Sequence, residues 1–283
     1  MRHSAGLCIA DFNITLQSDV VFQLEEGYLP FIAAPKDNPD LVVSYFNYLP
    51  DFDLTACKTL FEASNDVQKF YTILDYEGDF LFLMYNQSQI NEIQQIAMLS
   101  ADLKLWKLYA EDAIIFPLKY PCGPIMMHYL TLNADAVMMH ASCAFDGTRG
   151  RMFSGFSGVG KSTMSRLWAE SGCTIINDDR LIIRKKGEDF LVYNTPMYYP
   201  DEPKVAPLHA IFLISHSPVN RMSEITGAMA VSRVMAYSIQ NNFDRKFVAK
   251  RLDFFSDLCS KVKVFDLGFV PDHEVVNFIR TNE

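Results

Sequence analysis

The chain has 283 residues, with 25 Lys and Arg against 34 Asp and Glu, and a formal net charge of −9. Its 49% hydrophobic and 21% charged residues can build a substantial core, which excludes a disordered or collagen-like chain. The length allows one or two domains, and the acidic balance argues against a broad nucleic-acid-binding surface, which needs clustered Lys and Arg.

In chain order, the apolar run over residues 5–10 is too short for a signal-peptide core, and Asp11 ends it. Eighteen consecutive apolar residues occur nowhere, so no membrane-spanning helix is expected. The six cysteines at 8, 57, 122, 143, 173 and 259 include no Cys-x-x-Cys pair. That spacing suits reduced thiols better than a disulfide framework or a zinc site, and a cytoplasmic protein is the simplest expectation. Residues 1–118 read as β-rich, an accessory or substrate-facing domain. Short runs at 42–48 and 80–85 carry β-branched and aromatic residues, and 70–74 with 80–85 flank a turn-like Asp75-Tyr76-Glu77-Gly78-Asp79. Residues 91–109 are expected to be helical, with a possible break.

Residues 119–283 read as a second domain. The prolines at 117, 121 and 124 punctuate the chain, and a helix is expected over about 125–132. The apolar run 136–145 then meets turn residues Asp146-Gly147-Thr148-Arg149, and Met152-Phe153 resumes a strand. A glycine-rich loop and an amphipathic helix follow, with Met164, Leu167 and Trp168 on one face and Gly172 placed as a C-terminal cap. Strands are expected around 175–176, 181–185, 190–193, 209–215 and 264–267. Helices are expected over 226–239, over 246–261 and from Pro271.

The loop Gly155-Phe156-Ser157-Gly158-Val159-Gly160-Lys161-Ser162, followed by Thr163, matches the phosphate-loop pattern in full. Glycines let the backbone fold so that several N–H groups converge on phosphate oxygens, and the helix adds its positive dipole end. Lys161 would reach the outer phosphates of ATP and the Ser162 hydroxyl would coordinate Mg²⁺. Four fixed positions match by chance in roughly one chain in a hundred of this length. Here the pattern also sits between an expected strand and an expected amphipathic helix.

Two further groups belong with the loop. If residues 146–149 form a four-residue hairpin loop, Phe145 pairs with Gly150 and the register sets His140 opposite Gly155. A histidine in an apolar strand serves as a structural hydrogen-bonding residue or, placed here, assists phosphate chemistry. Asn177-Asp178-Asp179-Arg180 ends the strand after the helix. Adjacent strand residues point to opposite faces, so one aspartate would face nucleotide and Mg²⁺ and the other an acceptor hydroxyl, as a general base does in phosphoryl transfer.

From His140 through Gly-Phe-Ser-Gly-Val-Gly-Lys-Ser to Asn-Asp-Asp-Arg at 177–180, the sequence resembles the catalytic domain of HPr kinase/phosphorylase, the bacterial enzyme that phosphorylates a serine of a phosphocarrier protein. The resemblance covers about 40 residues. It implies an α/β (α+β) fold related to phosphoenolpyruvate carboxykinase, with the phosphate loop on a mixed sheet. Carried over by position, residues 155–163 would hold ATP and Ser162 would bind Mg²⁺. His140 and Lys161 would be active-site residues, and Asp179 the base, with Asp178 sharing that role or holding metal. The family's Mg²⁺-binding glutamate before a Gly-Leu-Gly-like stretch has no counterpart, and neither does its later Arg-containing loop. Asp201, Glu202 and Arg245 are weak stand-ins.

The expectation is therefore an ATP- and Mg²⁺-dependent kinase acting on a hydroxyl of a protein, peptide or small molecule, without nucleic-acid or membrane partners. The alternative is a non-catalytic ATP-binding regulatory or interaction module; a carboxykinase-like enzyme ranks below both. The acceptor stays open, as does the oligomeric state, a homo-oligomer included.

Overall fold

The computed structural model describes residues 1–86, 88–89, 92–111, 116–239 and 245–283. The chain is a mixed α/β protein with two large sheets, and it divides into two compact units: residues 1–133 with 196–202, and residues 134–195 with 203–283. None of the helices among the described residues is long and apolar enough to cross a membrane.

The first unit holds β1 (His3–Ile9), β2 (Phe12–Ser18), a 3-10 helix (Glu26–Phe31), β3 (Ile32–Ala33), β4 (Leu41–Phe46), β5 (Lys58–Ser64), β6 (Lys69–Tyr76), β7 (Asp79–Tyr85), β8 (Ile93–Leu99), β9 (Leu105–Tyr109) and α1 (Cys122–Leu132). Its strands form one sheet in the order β3-β1-β2-β4-β9-β8-β7-β6-β5. The expected β6–β7 hairpin is present, turning through Glu77 and Gly78, whose φ values of 54° and 91° suit a primed two-residue turn.

The expected helix over 91–109 is instead β8 and β9, and residue 91 lies outside the described residues. Six of the seven residues of β8 pair with β7, with an irregularity at Gln94, and Ser100 and Asp102 close the reversal into β9 through side-chain hydrogen bonds. Partnership in a sheet overrides a weak helical pattern. The helix expected at 125–132 is α1, which belongs to the first compact unit rather than the second. Tyr129 packs edge-on against Phe82 and Trp106, and Gly123 passes Tyr28 so closely that a Cβ would lie 1.9 Å from the phenol oxygen.

The second unit runs β10 (Ala136–Phe145), β11 (Gly150–Ser154), α2 (Lys161–Glu170), β12 (Thr174–Asn177), β13 (Arg180–Lys186), β14 (Asp189–Asn194), β15 (Val205–His216), β16 (Arg221–Ile225), α3 (Gly227–Ala236), α4 (Arg245–Lys261), β17 (Lys263–Phe269) and α5 (Glu274–Asn282). The path β11-β10-β13-β14-β15-β17-β16 is mixed, with β11, β15 and β17 parallel and β12 alongside β10. Helices cover both faces. Met164, Leu167 and Trp168 of α2 and Val275 and Ile279 of α5 pack with Phe153, Phe212 and Phe265. On the other face, Ala230 and Val234 of α3 and Phe255 and Leu258 of α4 pack with Met139, Ile211 and Val264.

Two features set the position of the strand ends. Phe153, Phe212 and Phe265 are register partners on the three parallel strands, and their rings stack at 5.4 Å and 5.3 Å. Arg151 of β11, with its side chain 2% exposed, is clamped by Asp146 at 2.6 Å and by the Glu283 carboxylate, itself 1% exposed. Burial opposes ionisation of both acids, yet the arginine bonds hold each below the usual carboxylate range. The Arg151 and Arg280 guanidinium groups lie 4.8 Å and 5.2 Å from the Trp168 ring, which ties α5 to α2, the helix that follows the glycine-rich loop. Arg151→Ala leaves the Glu283 charge buried without its main partner and should cost about 3–5 kcal/mol in urea unfolding. A loss under about 1 kcal/mol would show the clamp to be dispensable.

Candidate functional site

The loop after β11 takes the form its glycines allow. Gly155 ends against Ile214, where a Cβ would lie 3.1 Å from the Ile214 carbonyl oxygen. Gly158 and Gly160 have φ of 80° and 107°, a region that an L side chain adopts only under strain. Residues 156–158 are exposed, whereas Lys161 is buried. Its Nζ donates to the carbonyls of Gly155 and Phe156, both at 3.1 Å, so the lysine folds back across the loop and retains one N–H. Gly160 precedes α2 without a side-chain cap, and the first-turn amides, those of Ser162 and Thr163 among them, have no acceptor within the helix.

β10 brings the other residues to this loop. Its hairpin with β11 closes on the Asp146 carboxylate, which accepts from Thr148 and Arg149 backbone N–H groups at 3.0 Å and 2.9 Å. The resulting register pairs Phe145 with Gly150 and Ala141 with Ser154, as the loop length predicts. Extended by one residue, it sets His140 opposite Gly155, and Ser154 Oγ donates to the His140 carbonyl at 3.5 Å. Ser142, buried on the same strand, donates to the Lys161 carbonyl at 3.3 Å and joins β10 to the start of α2.

The other edge of β10 carries the acids. β12 pairs Asn177 with Cys143, and β13 pairs Arg180 with His140, so Asp178 and Asp179 lie between two paired segments. The Ala141 N–H donates to the Asp179 carbonyl at 3.1 Å. Asn177 shapes this stretch: its Oδ1 accepts from the Asp178 and Asp179 N–H groups at 2.7 Å and 3.0 Å, and its Nδ2 donates to Thr195. Sequence reading placed Asn177 in the motif without a role, and passed over Thr195 and Ser142. A backbone-bonding Asn ahead of two turn-like residues is the signal available for the first. Ser142 looks like an ordinary strand residue, and Thr195 like a turn residue before Pro196.

His140 Nδ1 lies 3.2 Å from Asp179 Oδ1, and Arg180 Nη2 lies 3.5 Å from Asp179 Oδ2. Asp179 is held below the usual carboxylate range, first by its hydrogen bond with His140, against burial, and then by the charges of Arg180, His140 and Lys161. Burial pushes Lys161 down, and Asp179 partly restores it. His140, Lys161 and Asp179 thus form one electrostatic cluster at the loop. Asp178 is half-buried, and among the described residues no side-chain hydrogen bond or ion pair joins it to that cluster. The wider candidates Asp201 and Glu202 fall in the first compact unit, and Arg245 is exposed on α4.

A polyphosphate fits this donor set. The exposed glycine-rich turn, the α2 amides and the lysine all present N–H groups, and the nearby carboxylate stands on β10's far edge rather than in the loop. Among the described residues no group of three or more His, Cys, Asp and Glu could hold a metal ion. Mg²⁺ commonly takes only one or two protein ligands and completes its shell with phosphate and water. Ser162 and Asp178 are of suitable chemistry for that.

No protein-family model matches the chain, and no curated protein matches it. Among solved structures, the HPr(Ser) kinase/phosphatase from Coxiella burnetii matches at 12% identity, covering 51% of this chain and 91% of that chain with a TM-score of 0.28. This is a distant structural likeness.

Because Asp179 titrates lower in the folded protein than in the unfolded chain, its stabilising contribution is complete above the ordinary carboxylate pKa of about 3.9. It is lost as the pH falls through the lowered folded value. His140→Ala removes the largest cause, so the Asp179 carboxyl titration followed by carbon-13 NMR should move upward. An unmoved titration would place the cause with Arg180 or Lys161.

Proposed function

We propose that the second unit is an ATP- and Mg²⁺-dependent phosphotransferase that moves the γ-phosphoryl group to a hydroxyl, on a fold of the phosphoenolpyruvate carboxykinase kind. The observation that carries this reading is the meeting of Lys161, His140 and Asp179 at one glycine-rich loop. In this reading the amides of residues 155–163 and Lys161 bind the triphosphate and offset its charge. Mg²⁺, held by Ser162 and Asp178, would neutralise further charge on the phosphates.

Asp179 accepts the proton of the acceptor hydroxyl while that oxygen bonds to the γ-phosphorus and the bond to the β-phosphate oxygen breaks, leaving ADP. A carboxylate with a depressed pKa is a weak base, but phosphoryl transfer passes through a loose transition state in which proton removal is not the main barrier. The anion therefore acts chiefly by orienting the hydroxyl, and His140 keeps it ionised and aimed. The acceptor is a hydroxyl of a protein, peptide or small molecule.

Lys161→Ala should abolish ATP binding measured by calorimetry in the presence of magnesium. Asp179→Asn should leave ATP affinity within a few-fold while lowering transfer of labelled phosphate to an acceptor by about 10²-fold, the cost of a misplaced hydroxyl. Equal loss of ATP affinity in both variants would contradict this division of labour. Saturable ATP binding without labelled product from any candidate acceptor would instead support the binding module.

A further inference from the structure

The parallel strands β11, β15 and β17 end along one edge of the sheet, and in open α/β sheets ligands lie in the crevice outside such carboxyl ends. The phosphate loop leaves the end of β11. The end of β15 carries His216, which is the register partner of Phe269 at the end of β17. Their rings stack at 5.6 Å with an interplanar angle of 25°. Phe269 is fully buried, whereas His216 is exposed. Both rings abut the loop: a Cβ on Gly160 would lie 2.8 Å from Phe269 Cζ and 3.8 Å from His216 Cε1.

The residues after His216 are fixed to the same strand end. Ser217 N–H donates to the Phe269 carbonyl at 3.1 Å, and Val270 N–H donates to Asn220 Oδ1 at 2.8 Å. An imidazole whose neighbouring backbone is tied on both sides, with one ring face on a buried phenyl, is a prepared stacking surface. It stands on the opposite side of β11 from the acids. His140 and Asp179 sit with β10, while His216 sits with β15, about 10 Å or two strand spacings across. The second aromatic pair at the loop, Phe156 against Tyr237 at 5.2 Å, belongs to the β10 side, because Ser238 bridges Met139 and Ile239 N–H donates to the Met138 carbonyl.

We propose that His216, backed by Phe269, is the platform on which the base of a bound nucleotide stacks, with its phosphates running across the glycine loop towards Lys161, His140 and Asp179. The proposal rests on the phosphate-loop reading and adds what that reading lacks, a base-recognition element and a direction for the nucleotide. His216 supplies a π-face and takes no part in the transfer chemistry.

The test compares ATP with inorganic tripolyphosphate, each with Mg²⁺, by calorimetry on the full chain. The native protein should bind ATP more tightly than tripolyphosphate. His216→Ala should weaken ATP by about tenfold and leave tripolyphosphate unchanged, and His216→Phe should restore most of the ATP affinity. Lys161→Ala should lose both ligands. Equal affinity of the native protein for the two ligands, an unchanged ATP affinity in His216→Ala, or equal weakening of both ligands there would each overturn the platform while leaving the phosphate loop intact. Native protein that binds neither ligand would overturn both.

Discussion

The site depends on β10 being paired along both edges in fixed registers. On one edge the hairpin with β11 sets His140 beside the first glycine of the loop; on the other, β12 and β13 hold Asp178 and Asp179 in line with Ser142 and Ala141. A one-residue slip on either edge would turn His140 or Asp179 to the opposite face of the sheet. The strand is almost wholly apolar and eight of its ten residues are buried, so a slipped register would bury polar groups and expose core. Core packing and the geometry of the candidate site are therefore one constraint here: the energy that forbids slippage is the energy that keeps the histidine and the acid 3.2 Å apart.

Charge is arranged locally against a global bias. The chain carries a net −9, yet the loop is lined by backbone donors and by a lysine whose ammonium is already satisfied twice by carbonyls. Those carbonyls offset part of the desolvation that Lys161 suffers, and Asp179 offsets more. An incoming polyphosphate would compete with Asp179 for the same lysine, and would be repelled by that carboxylate unless His140 and Arg180 screened it. In the proposed reading, the pair at 140 and 179 would do two jobs that a lone aspartate could not: keep an acceptor-orienting anion near the loop and limit that anion's repulsion of phosphate.

Much of the second unit was legible because its signals are local. A four-residue Asp-Gly-Thr-Arg loop fixes a hairpin register by chemistry within the loop, and glycines at 158 and 160 announce positive φ. Other elements carried no such mark. The β1–β2 hairpin turns through Ala10 and Asp11, with φ of 50° and 59° and no glycine, so nothing in the sequence flagged the reversal. β8 and β9 read as helix because their apolar spacing is ambiguous, and only the neighbouring strands decide it. Nothing local to Arg151 marks it as buried; its partner Glu283 lies 132 residues away. At the site, the charged and imidazole side chains stood out, whereas Thr195 and Ser142 bond to backbone and gave no compositional sign. His216 carries no mark in the sequence, because a stacking role needs a partner ring that only the fold supplies.

The aromatic ladder in the core explains why that ring is available. Phe153, Phe212 and Phe265 stack across three parallel strands, which aligns those strands residue for residue. Four positions beyond Phe212 and Phe265 the same alignment places His216 on Phe269. Side chains four apart in a strand share a face, so the exposed pair continues the buried ladder on the side covered by α2 and α5. On β11 the ladder ends sooner, because the chain leaves the strand at Ser154 to form the loop. The chain leaving β11 passes back beside that pair at Gly160, where a Cβ would lie 2.8 Å from Phe269 Cζ. The shortness of one strand relative to its two parallel neighbours therefore leaves both the glycine-rich loop and the stacked His216–Phe269 pair at the strand ends, from one hydrophobic register.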